Sequence, residues 1–518
     1  MTNWIVVPIV LPALAAAFLL LVLRHHLGRQ RIVSIAAATA LLCVAIGLFR
    51  LAGDGTVRPY LLGAWPAPFG IILVLDQLSA TMVLLTSALG LAVAIYASAG
   101  WDARGRHFHP MFQFQLMGVN GAFLTGDVFN LFVFFEVMLI ASYGLMLHGG
   151  GPARLKAGFH YVAINLVGST LFLFGVGLIY SVTGTLNMAD LAVKSSEIAA
   201  GDGALLRTGA LLLFLVFAIK SALAPLHWWL PTAYAAASAP AAALFAIMTK
   251  VGAYAIIRVY GLVFGAHAGE AAWIAAPWII PAALVTLALG ALGVLASRRL
   301  PDLVCFAIIW SMGSLLIGVG LFDARGIAAA LDYTLHSTLV AACLFLIADL
   351  VSSGRGRAED ALVAAGPVAR GALLGGLFFL AAIGMAGLPP LSGFIGKLLI
   401  LDATREGPHS AWIWTTLLAT SLVVIVGFAR AGSVLFWKGE SQGDAGPPPG
   451  RSLPAVQIGV ACALVAAMAL LTVFAGPVMS RLEATAVQAL DAAGYARAVL
   501  VPETAIAAAG DAATGRTP

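Results

Sequence analysis

Solid runs of apolar residues, each about 20 long, recur along the whole chain, and they leave one kind of architecture open. Coiled as a helix, such a run matches the roughly 30 Å hydrocarbon core of a bilayer, whereas membrane strands would alternate apolar and polar positions. Of the 518 residues, 61% are hydrophobic and 10% are charged, which is far from the composition of a soluble globular domain. The chain therefore reads as an all-α polytopic membrane protein. Hydropathy and loop punctuation predict about fourteen transmembrane helices, near 3–23, 31–52, 70–98, 108–125, 128–148, 157–182, 205–230, 240–263, 271–296, 302–321, 326–351, 371–400, 412–436 and 455–475.

The first run has no basic stretch before it and Arg24, His25, His26, Arg29 and Arg31 after it, so it is expected to stay as an anchor and not to leave as a signal peptide. Alternate short loops are basic. They carry the 24–31 cluster, Arg104/Arg106, Arg154/Lys156, Arg298/Arg299, Arg355/Arg357/Arg370 and Lys438/Arg451. The positive-inside rule places these loops in the cytoplasm and both termini on the other side, as expected of a multi-pass protein of a bacterial inner membrane. The net charge of +5 is spread over these loops and reads as topology bias, with no nucleic-acid patch. Loop 183–205, with Asp190, Lys194, Glu197 and Asp202, is expected to hold a short surface helix, and the tail beyond Gly476 to be partly helical and peripheral.

Two spans are interrupted by proline, at Ala224-Pro225 and at Leu388-Pro389-Pro390. Proline removes a backbone donor and clashes with the preceding turn. The groups it frees survive at membrane depth only inside protein or beside water, so both breaks predict an internal polar path. They fall in the seventh and twelfth spans, the spacing expected of two repeated five-helix units.

Charges inside the spans point the same way. A lysine at the centre of a membrane helix costs at least roughly 2.5–3.5 kcal/mol and persists mainly where it faces protein or water. Lys220 lies in the apolar run 205–230, five residues before Pro225, and Glu136 lies mid-span in 131–140. Opposite charges lower each other's burial cost, so Glu136 is the expected partner of Lys220. The alternative is a fixed salt bridge that only locks two helices, although buried pairs stabilise weakly. Lys250, His336 and Lys397 extend the series over five spans. A buried lysine has a lowered proton affinity and can exchange protons with water, and histidine titrates near neutrality, which together are the properties of a proton relay. The plain alternatives are helix packing for His336 and snorkelling to an interface for Lys397. His227 and the prolines Pro225 and Pro389 are candidates for gating at the breaks. Asp76, Arg258, Asp349, Asp402 and Arg430 sit near span ends and read as structural.

Cys43, Cys305, Cys343 and Cys462 lie in apolar spans without CxxC spacing or a nearby His pair, so neither disulfides nor a metal are expected. No Walker A, Rossmann or CxxCH pattern appears, so no cofactor is indicated, and the energy source is an ion gradient or another subunit. The chain reads as part of a secondary transporter and not as an enzyme.

The stretch from Lys220-Ser-Ala-Leu-Ala-Pro to Leu-His-Trp-Trp-Leu-Pro231, with Lys250-Val-Gly-Ala-Tyr and Arg258 after it, resembles the proton-conducting membrane subunits shared by respiratory complex I and Mrp-type multisubunit cation/proton antiporters. Leu75-Asp76-Gln-Leu-Ser79, Glu136, His336 and Gly387-Leu-Pro-Pro-Leu-Ser-Gly-Phe-Ile-Gly-Lys397 follow in the family's order, so the likeness covers about residues 70–435. It implies fourteen helices with two inverted five-helix repeats and broken helices 7 and 12. The implied organisation is 1–107 for helices 1–3, 108–265 and 266–436 for the two repeats, and 437–518 for the last helix and tail. It also implies Glu136 as the key acid, Lys220 as its pair, Lys250 as the central relay lysine, Lys397 as the outlet and His336 between them. Thr232 and Ser238 replace residues usual in complex I, and the lysine usual in the eleventh span is absent from Val340-Ala-Ala-Cys343, a pattern similar to the D-type chain of the antiporters called Mrp, Mnh or Pha. The resemblance implies partners in a hetero-oligomeric complex exchanging protons for Na⁺ or K⁺. The rival implication is a proton-pumping subunit of complex I or a related membrane-bound hydrogenase.

Overall fold

The computed structural model describes residues 2–198, 202–366, 368–438 and 453–500. Arg451 of the expected basic loops and the tail past residue 500 lie outside the described residues. A single helical turn leads into α1 (Val7–Leu21), followed by α2 (Leu27–Leu51). Where a continuous span was expected from residue 70, an antiparallel hairpin of β1 (Arg58–Leu61) and β2 (Ile72–Leu75) comes first, and α3 runs over Gln77–Ala97. Asp76 sets that boundary. Its carboxylate accepts the Ser79 amide at 2.8 Å while its own amide donates to Ser79 Oγ at 3.0 Å, a reciprocal cap that starts the helix after it. The aliphatic residues of β2 blend into the following span by hydropathy alone.

The chain continues as α4 (Phe108–Leu124), α5 (Val128–Met146), α6 (Pro152–Thr183), the expected short surface helix α7 (Met188–Lys194), α8 (Gly203–Lys220), α9 (Trp229–Ala236), α10 (Ala239–Phe245) and α11 (Met248–Leu262). Then come α12 (Ala276–Ala296), α13 (Leu300–Gly320), α14 (Ala324–Gly354), α15 (Gly371–Ala386), α16 (Ser392–Ala403), α17 (Ser410–Phe436) and α18 (Ala455–Val473), before α19 (Ala475–Leu490) and α20 (Ala492–Leu500). Among the described residues, 12 helices are long and apolar enough to cross a membrane. Helix α4, at 17 residues, and the interrupted pair α15–α16 are shorter, so a count of fourteen depends on including both.

The run Ala239–Leu262 is enclosed along its whole length and α13 and α14 nearly so, whereas α1, α2, α6, α17 and α18 turn most of their surface outward. The enclosed helices form the axis of the bundle. Close approach holds them in place: a Cβ on Gly290 of α12 would strike the backbone of Trp310 on α13, so only glycine lets those two helices pack at this distance.

The tail is more integral than expected. Helix α19 packs on α14, α11 and α3, and α20 packs on α7, at the end of the bundle opposite the basic loops. Gln488 Oε1 accepts the Gln77 amide at 2.9 Å, and Arg481 donates to Gly53 O at 2.7 Å. Beneath this cover Arg258 grips Asp76 with two hydrogen bonds, 2.5 and 2.9 Å, and its guanidinium stands 5.7 Å from the Tyr495 ring. The structural reading of Asp76 and Arg258 thus takes the form of a buried ion pair roofed by the tail.

At the basic end, the turn between α3 and α4 holds Asp102, which accepts 2.6 and 2.8 Å hydrogen bonds from Arg31 and lies 3.1 Å from His109 Nε2. Burial pushes the Asp102 carboxyl up, but the hydrogen bonds with His109 and Arg31 outweigh it and hold the pKa at about 2. A carboxyl depressed below its unfolded value of about 3.9 stabilises the fold above that pH and loses the contribution as pH falls from about 4 to about 2. Asp102→Asn is expected to cost roughly 1–3 kcal/mol at neutral pH, because it removes the charge and replaces one accepting oxygen with an NH2 group that faces the Arg31 or His109 donors. It is also expected to flatten the acid decline of the thermal midpoint. Melting curves of the detergent-solubilised chain across that pH window check both effects.

Candidate functional site

Lys220 is the last residue of α8, and the helix breaks directly after it. The Ile219 carbonyl, which takes the Ala222 amide at 3.1 Å, also accepts the Trp229 indole N–H at 3.0 Å, and the Ala224 amide donates to Thr286 Oγ1 at 2.8 Å. The break is therefore sealed by an indole and a threonine. His227 is half-buried with Nδ1 unmatched, and Pro225 is exposed, so the hydrogen bonds that hold this break come from residues other than the two expected gating candidates.

The expected direct contact between Glu136 and Lys220 is not made. Lys220 Nζ donates to Asn165 Oδ1 at 2.6 Å, and Glu136 Oε1 accepts the Ser169 hydroxyl. Asn165 and Ser169 lie one turn apart on α6, so that helix gives each charge its own polar partner in place of a direct salt bridge, while the Asn165 amide donates to Tyr161 O at 2.7 Å. The carboxylate remains near enough for its charge to act on the ammonium. Lys220 is 5% exposed, whereas Glu136 is only partly covered by its own chain.

Lys250 follows an interruption that no proline or glycine announces. Between α10 and α11 the amides of Ala246, Ile247 and Lys250 bond three residues back, to Ala243, Leu244 and Ile247. Such a 3₁₀ stretch inside a helix often marks strain or a functional hinge. The Lys250 ammonium is 1% exposed, and its polar neighbour is Thr249 Oγ1 at 3.5 Å.

The second half gathers around the other break. His336, on α14, has Nδ1 2.8 Å from Ser392 Oγ and Nε2 2.9 Å from Gly384 O. Lys397, on α16, donates to Ala386 O and, at 3.2 Å, to Ser421 Oγ, with its ammonium 3.9 Å from the centre of the Trp310 ring. Two carbonyls from the last turn of α15 are thus taken by side chains of the expected relay: Ala386 O, whose helical donor position is occupied by Pro390, and Gly384 O, which also accepts the Gly387 amide at 3.0 Å. Lys397 reaches back toward the break and not outward to an interface, and Pro389 itself is exposed. Lys250 and Lys397 both lie near enough for their charges to act on the His336 ring.

Three further polar groups belong to this neighbourhood. Asn165 and Ser169 were visible in the sequence as polar residues at helical spacing in the sixth span. Asp332 stands four residues before His336, and that spacing was its only signal. At the basic end a cavity of about 460 Å³, lined by Trp101, Arg104, Arg154, Tyr234, Ala242 and Asp349 among others, opens over the α9–α10 junction. Asp349 there accepts the Tyr96 hydroxyl and the Trp101 indole, each at 2.7 Å.

Comparison with known proteins gives the family and the fold. Residues 125–425 match the family model described as NADH:quinone oxidoreductase/Mrp antiporter, TM. The D-type chain of a probable K(+)/H(+) antiporter of Rhizobium meliloti (strain 1021) is 41% identical over 523 residues, spanning 94% of this chain and 96% of that protein. The corresponding chain of the Na(+)/H(+) antiporter of Bacillus subtilis (strain 168) is 39% identical over 446 residues, 85% of this chain and 88% of its own. A chain in the structure of the Mrp complex from Dietzia sp. DQ12-45-1b superposes with a TM-score of 0.87 at 29% identity, covering 96% of this chain and 100% of that one. The matched region contains both proline breaks and all five titratable groups of the expected relay, and the chain belongs to the NADH:quinone oxidoreductase/Mrp antiporter transmembrane family.

Proposed function

We propose that this chain is the proton-translocating subunit of a multisubunit antiporter that exchanges protons for Na⁺ or K⁺, assembled with other subunits in a bacterial inner membrane. The observation that carries the proposal is a file of four groups, Lys220, Lys250, His336 and Lys397, each 6% exposed or less and each beside a helix interruption or its freed carbonyls. Among the described residues none of the three lysines is held in an ion pair. At roughly 2.5–3.5 kcal/mol apiece, three buried lysines are a heavy cost for a scaffold. An ammonium held by neutral oxygens can release its proton, whereas one locked to a carboxylate cannot do so readily.

In this reading Lys220 alternates between the Asn165–Ser169–Glu136 side and Lys250, and each proton shift changes the affinity of the next group. His336 and Lys397 extend the path through the second break, with water between groups that do not touch. No covalent chemistry is needed. The partial exposure of Glu136 fits a subunit whose neighbour completes its cover, and the antiporter names of the similar D-type chains favour this reading over a complex I arm.

Glu136→Gln provides the test, because it keeps the Ser169 hydrogen bond and removes the charge. The expected result is cation-dependent proton exchange in vesicles lowered about tenfold or more, with the yield of the purified complex unchanged. Loss of yield with exchange per complex intact would instead mark the carboxylate as a packing element.

A further inference from the structure

Asp332 has no part in the relay described above, yet its setting is not that of a structural residue. It is 8% exposed, and among the described residues Oδ2 has no hydrogen-bond partner, a costly state for a carboxyl in a membrane span. It does not cap its helix, because Asp323 holds that position through the Gly326 amide. Among the described residues it makes no ion pair that could lock two helices.

Its position is informative. Four residues of helix advance about 6 Å, so Asp332 lies one turn beyond His336 on nearly the same face of α14. That turn leads toward Ala324, where α14 begins at the end of the bundle opposite the basic loops. Facing it, Gly396 of α16 comes so close that a Cβ there would stand 3.0 Å from Oδ2, and the next residue along is Lys397. A larger side chain at 396 would fill the space before the carboxyl, and the glycine leaves it open.

We propose that Asp332 carries protons between His336 and the far side of the membrane, a role that rests on the relay reading above. In one direction a hydronium on the far side gives its proton to Oδ2, forming the carboxylic acid and leaving water, and the acid then passes a proton through water to the neutral His336 imidazole, leaving a carboxylate and an imidazolium. In the other direction the imidazolium protonates the carboxylate, and the acid gives its proton to water on the far side. No electron moves, and no other reactant is consumed.

The test uses the assembled complex in vesicles. Asp332→Asn keeps shape and hydrogen-bonding capacity but cannot titrate at this position. Cation-dependent proton exchange is expected to fall about tenfold or more, with Asp332→Glu restoring it to within about twofold. Lys220→Ala measured alongside separates the two layers. If Lys220→Ala is inactive while Asp332→Asn exchanges at the parent rate, Asp332 carries nothing and the relay stands. If Lys220→Ala is itself fully active, the relay falls and Asp332 with it. Infrared difference spectra between low and high pH give a second readout should the Asn variant assemble poorly. The parent is expected to show a protonated-carboxyl band that moves in Asp332→Glu, and a spectrum unmoved by that change overturns the proposal.

Discussion

Lys220→Ala is expected to leave the complex assembled and to lower cation-dependent proton exchange by about 100-fold or more. The two halves of that expectation come from different magnitudes. Removing the ammonium leaves Asn165 Oδ1 without its 2.6 Å donor, which costs roughly 1–3 kcal/mol. The same change relieves the roughly 2.5–3.5 kcal/mol cost of a lysine at membrane depth. These nearly cancel, so folding is little affected. Transport is different, because Lys220 is the group through which the proposed path passes a proton between Glu136 and Lys250. Lys220→Arg sharpens the point. A guanidinium keeps the charge and could still donate to Asn165, but it does not release its proton at physiological pH, so it is expected to fail as completely as alanine. Exchange assays in vesicles, normalised to complex content, decide between the outcomes. A Lys220→Arg complex with parent activity would mean that fixed positive charge suffices and that no proton leaves this residue.

Gly393→Ala is expected to abolish exchange and lower stability together. Gly393 sits in the first turn of α16, and a Cβ there would strike Gly384 O and come within 2.5 Å of His336 Nε2. Those two atoms are hydrogen-bonded to each other, so the methyl group would land on the contact that joins α14 to the second break. Ordinary overpacking costs about 1–3 kcal/mol where side chains can yield. Here one of the struck atoms is backbone, so either α16 retreats, carrying Lys397 from Ala386 O, or the imidazole is displaced. Gly376→Ala on neighbouring α15 is the control, because nothing lies within 4 Å of its added Cβ, and it is expected to leave both melting temperature and exchange unchanged. A Gly393→Ala complex that melts and transports like the parent would show that His336 is not held at the break as described.

The site was legible in the sequence to the extent that its chemistry is carried by rare residues. Lys220, Lys250, His336 and Lys397 stand out against apolar helices because burial of a titratable group is costly, and all four are buried in the structure. The two proline breaks were legible because proline acts on its own helix, whatever surrounds it. The partner of Lys220 was not. Pairing it with Glu136 follows from charge alone, but Asn165 and Ser169 of α6 each take one of the two groups instead. The interruption before Lys250 was hidden as well, since Ala246 and Ile247 are both compatible with a regular helix and only the enclosing helices tighten the backbone there. Asp332 passed unnoticed because its significance lies in the space left by Gly396, and that glycine belongs to another helix.

Hydropathy, helical period and the rarity of charge act along the chain, so the sequence by itself determined the membrane class, the span order, the two proline breaks and the identity of the titratable groups. The tertiary structure decided which atoms hold those groups: Asn165 for Lys220, Gly384 and Ser392 for His336, and Ala386 with Trp310 for Lys397. It also folded the tail over the Asp76–Arg258 pair. Hydrogen bonds are made over about 3 Å, and the distance between two helices is set by the small residues at their contact and the rotamers around it, which no single span encodes alone.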